Sequence, residues 1–420
     1  MGRTTLYVYS VLVILGLNQC KNMNDTGTVR FNLNCINIEQ NLKNRIDTNG
    51  FIIQIFHLKD EPSTVNRIMI SRKDLEIEIL PSKGFSIGKV SLGDKPTLWD
   101  APIGLPDPLG LDFRSDKISI FGTPTPGFTY LRTFVGGIEL LGLKNWGMPR
   151  TDTLTGEFLP LHGEVSNIPL EKIEFEISKK GLLAKGTIIY RTMKGDDKKP
   201  WWERGPGMYK ITKSLFIDPI TTGFIIADTI TNISNASLVP DWGYHVTFWP
   251  EPGSKILVPS LTCEERGRAT VAPEFDTWHP ALNEKIRTEV GIIFKELKVF
   301  DFQGKPSTRI LKLYPDGRAF ELIVPITQYF QTWNSSGGSD SKEFTYNDGK
   351  PVFSKSWNGF GVEIGSSPLD YNGNTDKSVM NNDTLNPGEQ LGIRIALKMI
   401  DPPATKQLKD EIELYNSGRK

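Results

Sequence analysis

Apolar and acidic residues alternate from Leu75 to Ile79 before the run closes on Leu80, and a two-residue period puts every second side chain on the same face of an extended strand. Pro81, Ser82, Lys83 and Gly84 then turn the chain into a second apolar run over residues 85–90, which predicts a β-hairpin. Comparable runs recur at 187–191, 209–217, 224–232, 320–324, 360–364 and 391–399, the second and third separated by Asp218, Pro219 and Gly223. A chain that repeats this pattern from end to end must bury one face of many strands. The expected fold class is therefore all-β, and 39 Gly and 28 Pro supply the turns that many short strands require.

Two segments break the pattern. Residues 99–160 are dense in Gly and Pro with aromatic residues between them, and they read as long, ordered loops of the kind that carry binding sites on a rigid sheet scaffold. Residues 406–414 bring Leu408, Ile412 and Leu414 near helical spacing and predict a short C-terminal helix. No repeat or interdomain linker is visible beyond Thr28. The expected organisation is a leader over 1–20, a tether and N-terminal segment over 21–50, and one β domain over 51–420.

The leader reads as a secretory signal: Arg3, an apolar run over residues 6–17, then Asn18 and Gln19 before Cys20. The run is short for a bilayer-spanning helix. A cysteine directly behind it resembles a bacterial lipoprotein processing site, so either a lipid on Cys20 anchors an exported chain to a membrane, or an ordinary signal peptide is cut nearby. The location expected is periplasmic or membrane-anchored. Cys35 and Cys263 are too few for a disulfide framework; one bridge and two unrelated thiols both remain open. Lys plus Arg and Asp plus Glu each total 49, leaving no basic surplus for a nucleic-acid partner.

Four histidines are present, and two sit where an imidazole could face a cleft. His162 lies in Leu-His-Gly directly behind the Gly/Pro-rich loops, and His245 lies in the aromatic stretch 241–248. Each on its own is more ordinarily a hydrogen-bonded core or loop histidine. His57 and His279 have no chemistry around them. Glu363 is an isolated acid in Gly359-Phe360-Gly361-Val362-Glu363-Ile364-Gly365; it is either on the solvent face of a strand or buried with a raised pKa, as a general base would be. The chain contains no HExxH, paired CxxC, Asp-rich calcium loop, phosphate cradle or GxSxG elbow, which weakens the metal and nucleophile readings. Among the tryptophans in loop-rich and strand-end stretches, Trp146 and Trp333 are the candidates for stacking on a sugar ring, and core packing is the ordinary alternative.

Several of these segments, taken in order, resemble the aldose 1-epimerase (galactose mutarotase) superfamily. They are Leu131-Arg132-Thr133-Phe134-Val135-Gly136-Gly137, residues 142–147, Leu161-His162-Gly163, residues 231–245, Gly361-Val362-Glu363 and Leu385-Asn386-Pro387-Gly388-Glu389. The turn over residues 81–88 is similar to one in the poorly characterised aldose 1-epimerase-like branch. The resemblance spans about residues 75–399. It implies a β-supersandwich of two large antiparallel sheets and a cofactor-free isomerisation of a monosaccharide or sugar acid. Glu363 would be the base for the anomeric hydroxyl, His245 the acid for the ring oxygen, His162 a sugar-binding and polarising group, and Arg132 a hydroxyl contact. The pattern departs from the family in placing Asp241, Trp242, Gly243 and Tyr244 ahead of His245, and Asp241 could supply polarity to the site. A non-catalytic carbohydrate-binding protein, and a glycoside hydrolase or lyase on a related sandwich, are the alternatives.

Overall fold

A computed structural model of the chain describes residues 27–35, 45–58, 61–100, 117–134, 136–152, 156–192, 195–267, 271–339, 342–346, 349, 351–352, 356–369 and 384–419. The leader and Cys20 lie outside them. Two large antiparallel sheets dominate these residues. The first runs in the order Val29–Asn34, Lys172–Ser178, Gly181–Arg191, Gly207–Ile217, Gly223–Asn232, Gln390–Met399, Ala319–Pro325, Lys305–Leu313 and Lys255–Leu257. The second runs Ser260–Glu265, Thr288–Leu297, Tyr329–Ser336, Gly359–Gly365, Asp241–Phe248, Ile138–Leu143, Ser86–Leu92, Leu75–Leu80, Glu61–Arg72, Phe51–Leu58 and Arg45–Thr48. This is the all-β supersandwich that the strand pattern and the resemblance imply. The hairpin expected at Pro81 to Gly84 joins Leu75–Leu80 to Ser86–Leu92.

Strand parity decides what lies between the sheets and what lies outside them. Ile211, Leu215, Ile226, Ile230, Ile393 and Ile395 from the first sheet pack with Ile77, Ile79, Val246, Phe360, Val362 and Ile364 from the second in one continuous core. The opposite face of the second sheet carries its own aromatic cluster, with Trp99, Tyr130, Phe134, Trp146, Trp333 and Trp357. The even residues of Gly359–Gly365 therefore enter the sandwich core, and the odd ones, Glu363 included, point into the aromatic layer. Glycines on that outer face let the layer come close. A Cβ added at Gly365 would lie 2.1 Å from the Trp146 ring, and one at Gly243 would lie 2.5 Å from it.

Two expectations are corrected, and one open alternative is decided. Residues 138–143, read as loop, form a central strand of the second sheet; all six are buried, so no alternation betrays it. The C-terminal helix Pro402–Asn416, capped by Asp401, buries Leu408 and Ile412 one turn apart, but Leu414 falls on its solvent side at 76% exposure. Cys35 and Cys263 are separate thiols, and burial pushes that of Cys35 up to about 12.

Candidate active site

Strand register assembles the floor of the site. Glu139 stands opposite His245, His245 opposite Glu363, and Glu363 opposite Gln331, so four polar side chains lie in a row across four neighbouring strands of the second sheet. His245 Nε2 is 3.2 Å from Glu363 Oε1. On the other side, Gln331 Nε2 donates to Glu363 Oε2 at 2.8 Å, and the Tyr329 hydroxyl donates to Gln331 Oε1 at 2.8 Å, which fixes the amide orientation. Glu139 accepts from the Tyr130 hydroxyl and from the Gly136 backbone N–H, each at 2.9 Å.

His162 reaches the same place from a loop. Its backbone is left-handed, with φ 56°, and is pinned because its N–H donates to the Gly147 carbonyl and its carbonyl accepts from the Gly142 N–H. The ring Nδ1 donates to the Trp146 carbonyl, which leaves Nε2 as an acceptor. The two imidazoles meet edge to face at 5.4 Å, with Phe134 and Trp333 packed at 4.9 and 5.8 Å from His245.

Burial governs the charge state of these groups. It lowers the pKa of His245 to about 3, and together with its neighbour His245 lowers that of His162 to about 4, so both imidazoles are neutral at physiological pH. Burial also raises the pKa of Glu363, against the opposing pull of His162, Arg266 and the Gln331 bond. The Nδ1 of His245 is buried with no hydrogen-bond partner among the described residues. A buried polar atom left unpaired is costly.

Across the cavity stands a charged wall. Arg266 Nη2 donates to Glu289 Oε1 at 2.6 Å, Arg287 Nη2 donates to Glu289 Oε2, and Arg287 Nη1 lies 3.1 and 3.2 Å from the two Glu343 oxygens. Burial would raise the Glu289 pKa, but Arg287 and Arg266 outweigh it and hold the carboxyl below its usual range, aided by the Trp333 indole. Floor and wall enclose a cavity of about 220 Å³ that also meets Tyr130, Phe134 and Trp357. Among the described residues no three His, Cys, Asp or Glu side chains converge as metal ligands.

Of the residues picked out by sequence, His162, His245, Glu363 and Trp333 line this cavity. Trp146 and Asp241 sit behind it. Trp146 is fully buried against the sheet glycines and donates from Nε1 to Ser367, while Asp241 accepts from Ser367 Oγ at 2.7 Å and from the Trp146 N–H at 3.3 Å. Both support the His162 loop and offer no face to a ligand. Arg132 lies outside the lining, with its guanidinium 5.0 Å over the Tyr346 ring. Sequence reasoning passed over Tyr130, Gln331, Arg266, Arg287 and Glu289. Gln331 was within reach of parity, since it shares a face with Trp333 two residues on.

The fold alone places the molecule in a class: it is a β-supersandwich of the kind seen in galactose mutarotase-like proteins. The chain belongs to the family described as domain of unknown function DUF4432, whose model matches residues 63–298. A candidate aldose 1-epimerase from Klebsiella pneumoniae subsp. pneumoniae MGH 78578 superposes with a TM-score of 0.68 at 16% identity, covering 93% of this chain and 97% of that one. A galactose mutarotase-like protein from Clostridium acetobutylicum gives a TM-score of 0.50 at 14% identity, covering 83% and 98%. At these identities the likeness is one of fold. No curated protein matches the sequence at significant similarity.

Proposed function

We propose that this cavity takes one ring of a free sugar and interconverts its anomers, an aldose 1-epimerase-type isomerisation. The observation that carries the reading is the direct contact of His245 with Glu363 on the floor of an aromatic-walled cavity that His162 also enters. The anomeric hydroxyl oxygen and the ring oxygen are bonded to the same carbon, so a compact acid/base pair can serve both. Glu363 takes the proton from the anomeric hydroxyl, and the C1–O bond of that hydroxyl becomes a carbonyl as the bond from C1 to the ring oxygen breaks. The Glu363–His245 pair then returns the proton to the ring oxygen through the imidazole. The aldehyde rotates about its bond to the next carbon, and the reverse transfers close the other anomer. His162 accepts a sugar hydroxyl at Nε2. A raised Glu363 pKa suits this work, because a base poised nearer neutrality transfers protons in both directions.

The size of the cavity argues for a single ring. At about 220 Å³ it is below the roughly 300–1,000 Å³ of sites for drug-sized ligands and is of the size of one sugar ring. The test is anomer exchange, followed by polarimetry or NMR, of freshly dissolved aldoses and uronic acids with the purified protein. One sugar should equilibrate faster, and Glu363→Gln should slow it by about 10²- to 10⁴-fold in a folded protein. Sugar binding without any acceleration would make this a carbohydrate-binding protein instead.

A further inference from the structure

The charged wall has no counterpart in the floor chemistry just described, and it is a built structure. Glu289 is bound at both oxygens by arginines and by the Trp333 indole, and the Arg287 guanidinium stacks 5.4 Å from the Phe344 ring centre. Arg266 follows strand Ser260–Glu265 and is fixed by its backbone N–H, which donates to the Gly291 carbonyl at 2.8 Å. Its side chain lies over Gly291. A Cβ there would meet Gln331 Oε1 at 2.9 Å and Arg266 Nη1 at 3.1 Å, so the glycine leaves room for the guanidinium beside the amide that holds Glu363. A ring with its anomeric carbon at Glu363 therefore presents its other hydroxyls to Arg266 and Glu289, a donor fork and an acceptor side by side.

Charge decides which ring. Among the described residues lining the cavity, Arg266 and Arg287 are already bound to the carboxylates of Glu289 and Glu343, and Glu363 is a further acidic side chain. A ligand anion entering this space meets cations already matched by carboxylates, whereas hydroxyls can both donate to and accept from the array. We propose that Arg266, held by Glu289 and Arg287, is the residue that orients the sugar, and that its wall selects uncharged sugars over sugar acids and sugar phosphates. This rests on the sugar-cavity reading and replaces Arg132 as the arginine of the site.

The experiment measures equilibrium binding by calorimetry, alongside anomer exchange, for a neutral aldose, its uronic acid and its 6-phosphate. The neutral sugar should bind at least about tenfold more tightly than either anion, and Arg266→Ala should weaken it about ten- to a hundredfold, the span of a lost charge-assisted hydrogen bond. Arg266→Lys, which keeps the charge but loses the planar fork, should restore only part of the affinity. Glu343→Gln, which removes one negative charge from the wall, should narrow the gap between neutral and anionic sugars. Unchanged affinity in Arg266→Ala, anions bound as tightly as the neutral sugar, or no sugar bound at all would overturn the inference. If the binding pattern holds while no anomer exchange occurs, the isomerase reading alone fails. If exchange occurs and Arg266→Ala binds like the parent, the inference alone fails.

Discussion

Glu363 and Glu289 lie two strands apart in the same sheet and face the same cavity, yet their carboxyl groups move in opposite directions. Glu363 is held by a neutral imidazole and a neutral amide, and burial wins: its pKa rises. Glu289 is held by two guanidiniums, and attraction wins: its pKa falls. Burial sets the size of the stakes, and the neighbour sets the sign. The floor is thus a place where a proton is loosely owned, suited to moving one, while the wall keeps fixed charges suited to holding a ligand.

The largest effect that separates floor from wall is the dependence of stability on pH. The unfolded histidines take up protons near pH 6.5, whereas the folded ones wait until about 4 and about 3. Between those values the unfolded chain binds more protons than the folded one, so stability contributed by His162 and His245 is present above 6.5 and drains away as pH falls, by up to about 1.4 kcal/mol per pH unit for each. Glu363 opposes this, since its raised folded pKa makes the folded chain take up a proton first as pH falls towards 4.5. Glu289 keeps its contribution down to 4.5 and loses it only below that. Urea unfolding should show a net loss of a few kcal/mol between pH 6.5 and 4.5, and the His162→Gln, His245→Gln double variant should flatten the slope. A parent protein with a flat profile would mean that the imidazoles are not buried neutral.

Breaking the wall should cost less, because its groups are partly solvated. Arg287 is 13% exposed and serves both Glu289 and Glu343. Removing one partner of a buried ion pair strands the other, at about 3–5 kcal/mol for full burial, so Arg287→Gln should cost about 2 kcal/mol by thermal or urea unfolding. A loss below about 0.5 kcal/mol would mark the network as an ordinary surface pairing, and the contrast with Glu363 would lose its basis.

The floor was far more legible in the sequence than the wall, for a physical reason. Strands that bury one face announce themselves by alternation, as Leu75–Leu80 does, and an isolated acid in a strand-like run, as Glu363 is, narrows to two readings, the solvent face or a buried site. The strand 138–143 is buried on both faces and carries no period, so Glu139 stayed hidden with it. Arg266 and Arg287 sit among charged neighbours, Glu264 and Glu265 in one case and Lys285 and Glu284 in the other, and such runs read as solvated surface. Their convergence on Glu289 exists only in the register of strands Ser260–Glu265 and Thr288–Leu297. Trp146 lies in a loop-rich stretch of sequence that suits either a ligand face or core packing, and the space it fills is created by Gly243 and Gly365 on two other strands.

The smallest expected effect tests where floor and wall touch. At Gly291 a new Cβ would press on Gln331 Oε1 and Arg266 Nη1, both at the ends of flexible side chains that can yield by a few tenths of an ångström. Replacing a strand glycine by alanine also recovers about 0.5–1 kcal/mol of backbone entropy, which offsets the crowding. Gly291→Ala should therefore leave unfolding stability within about 1 kcal/mol of the parent. Displacing Arg266 and Gln331 should still weaken sugar binding, roughly threefold or on the order of 0.6 kcal/mol. Such a variant separates stability from recognition: the fold tolerates the shift because both side chains move as single groups, and the ligand does not because Arg266 lines its cavity and Gln331 holds Glu363. If affinity were untouched while the crowding stood, Arg266 would not face the sugar, and the wall would reduce to a structural ion-pair network beside an independent floor.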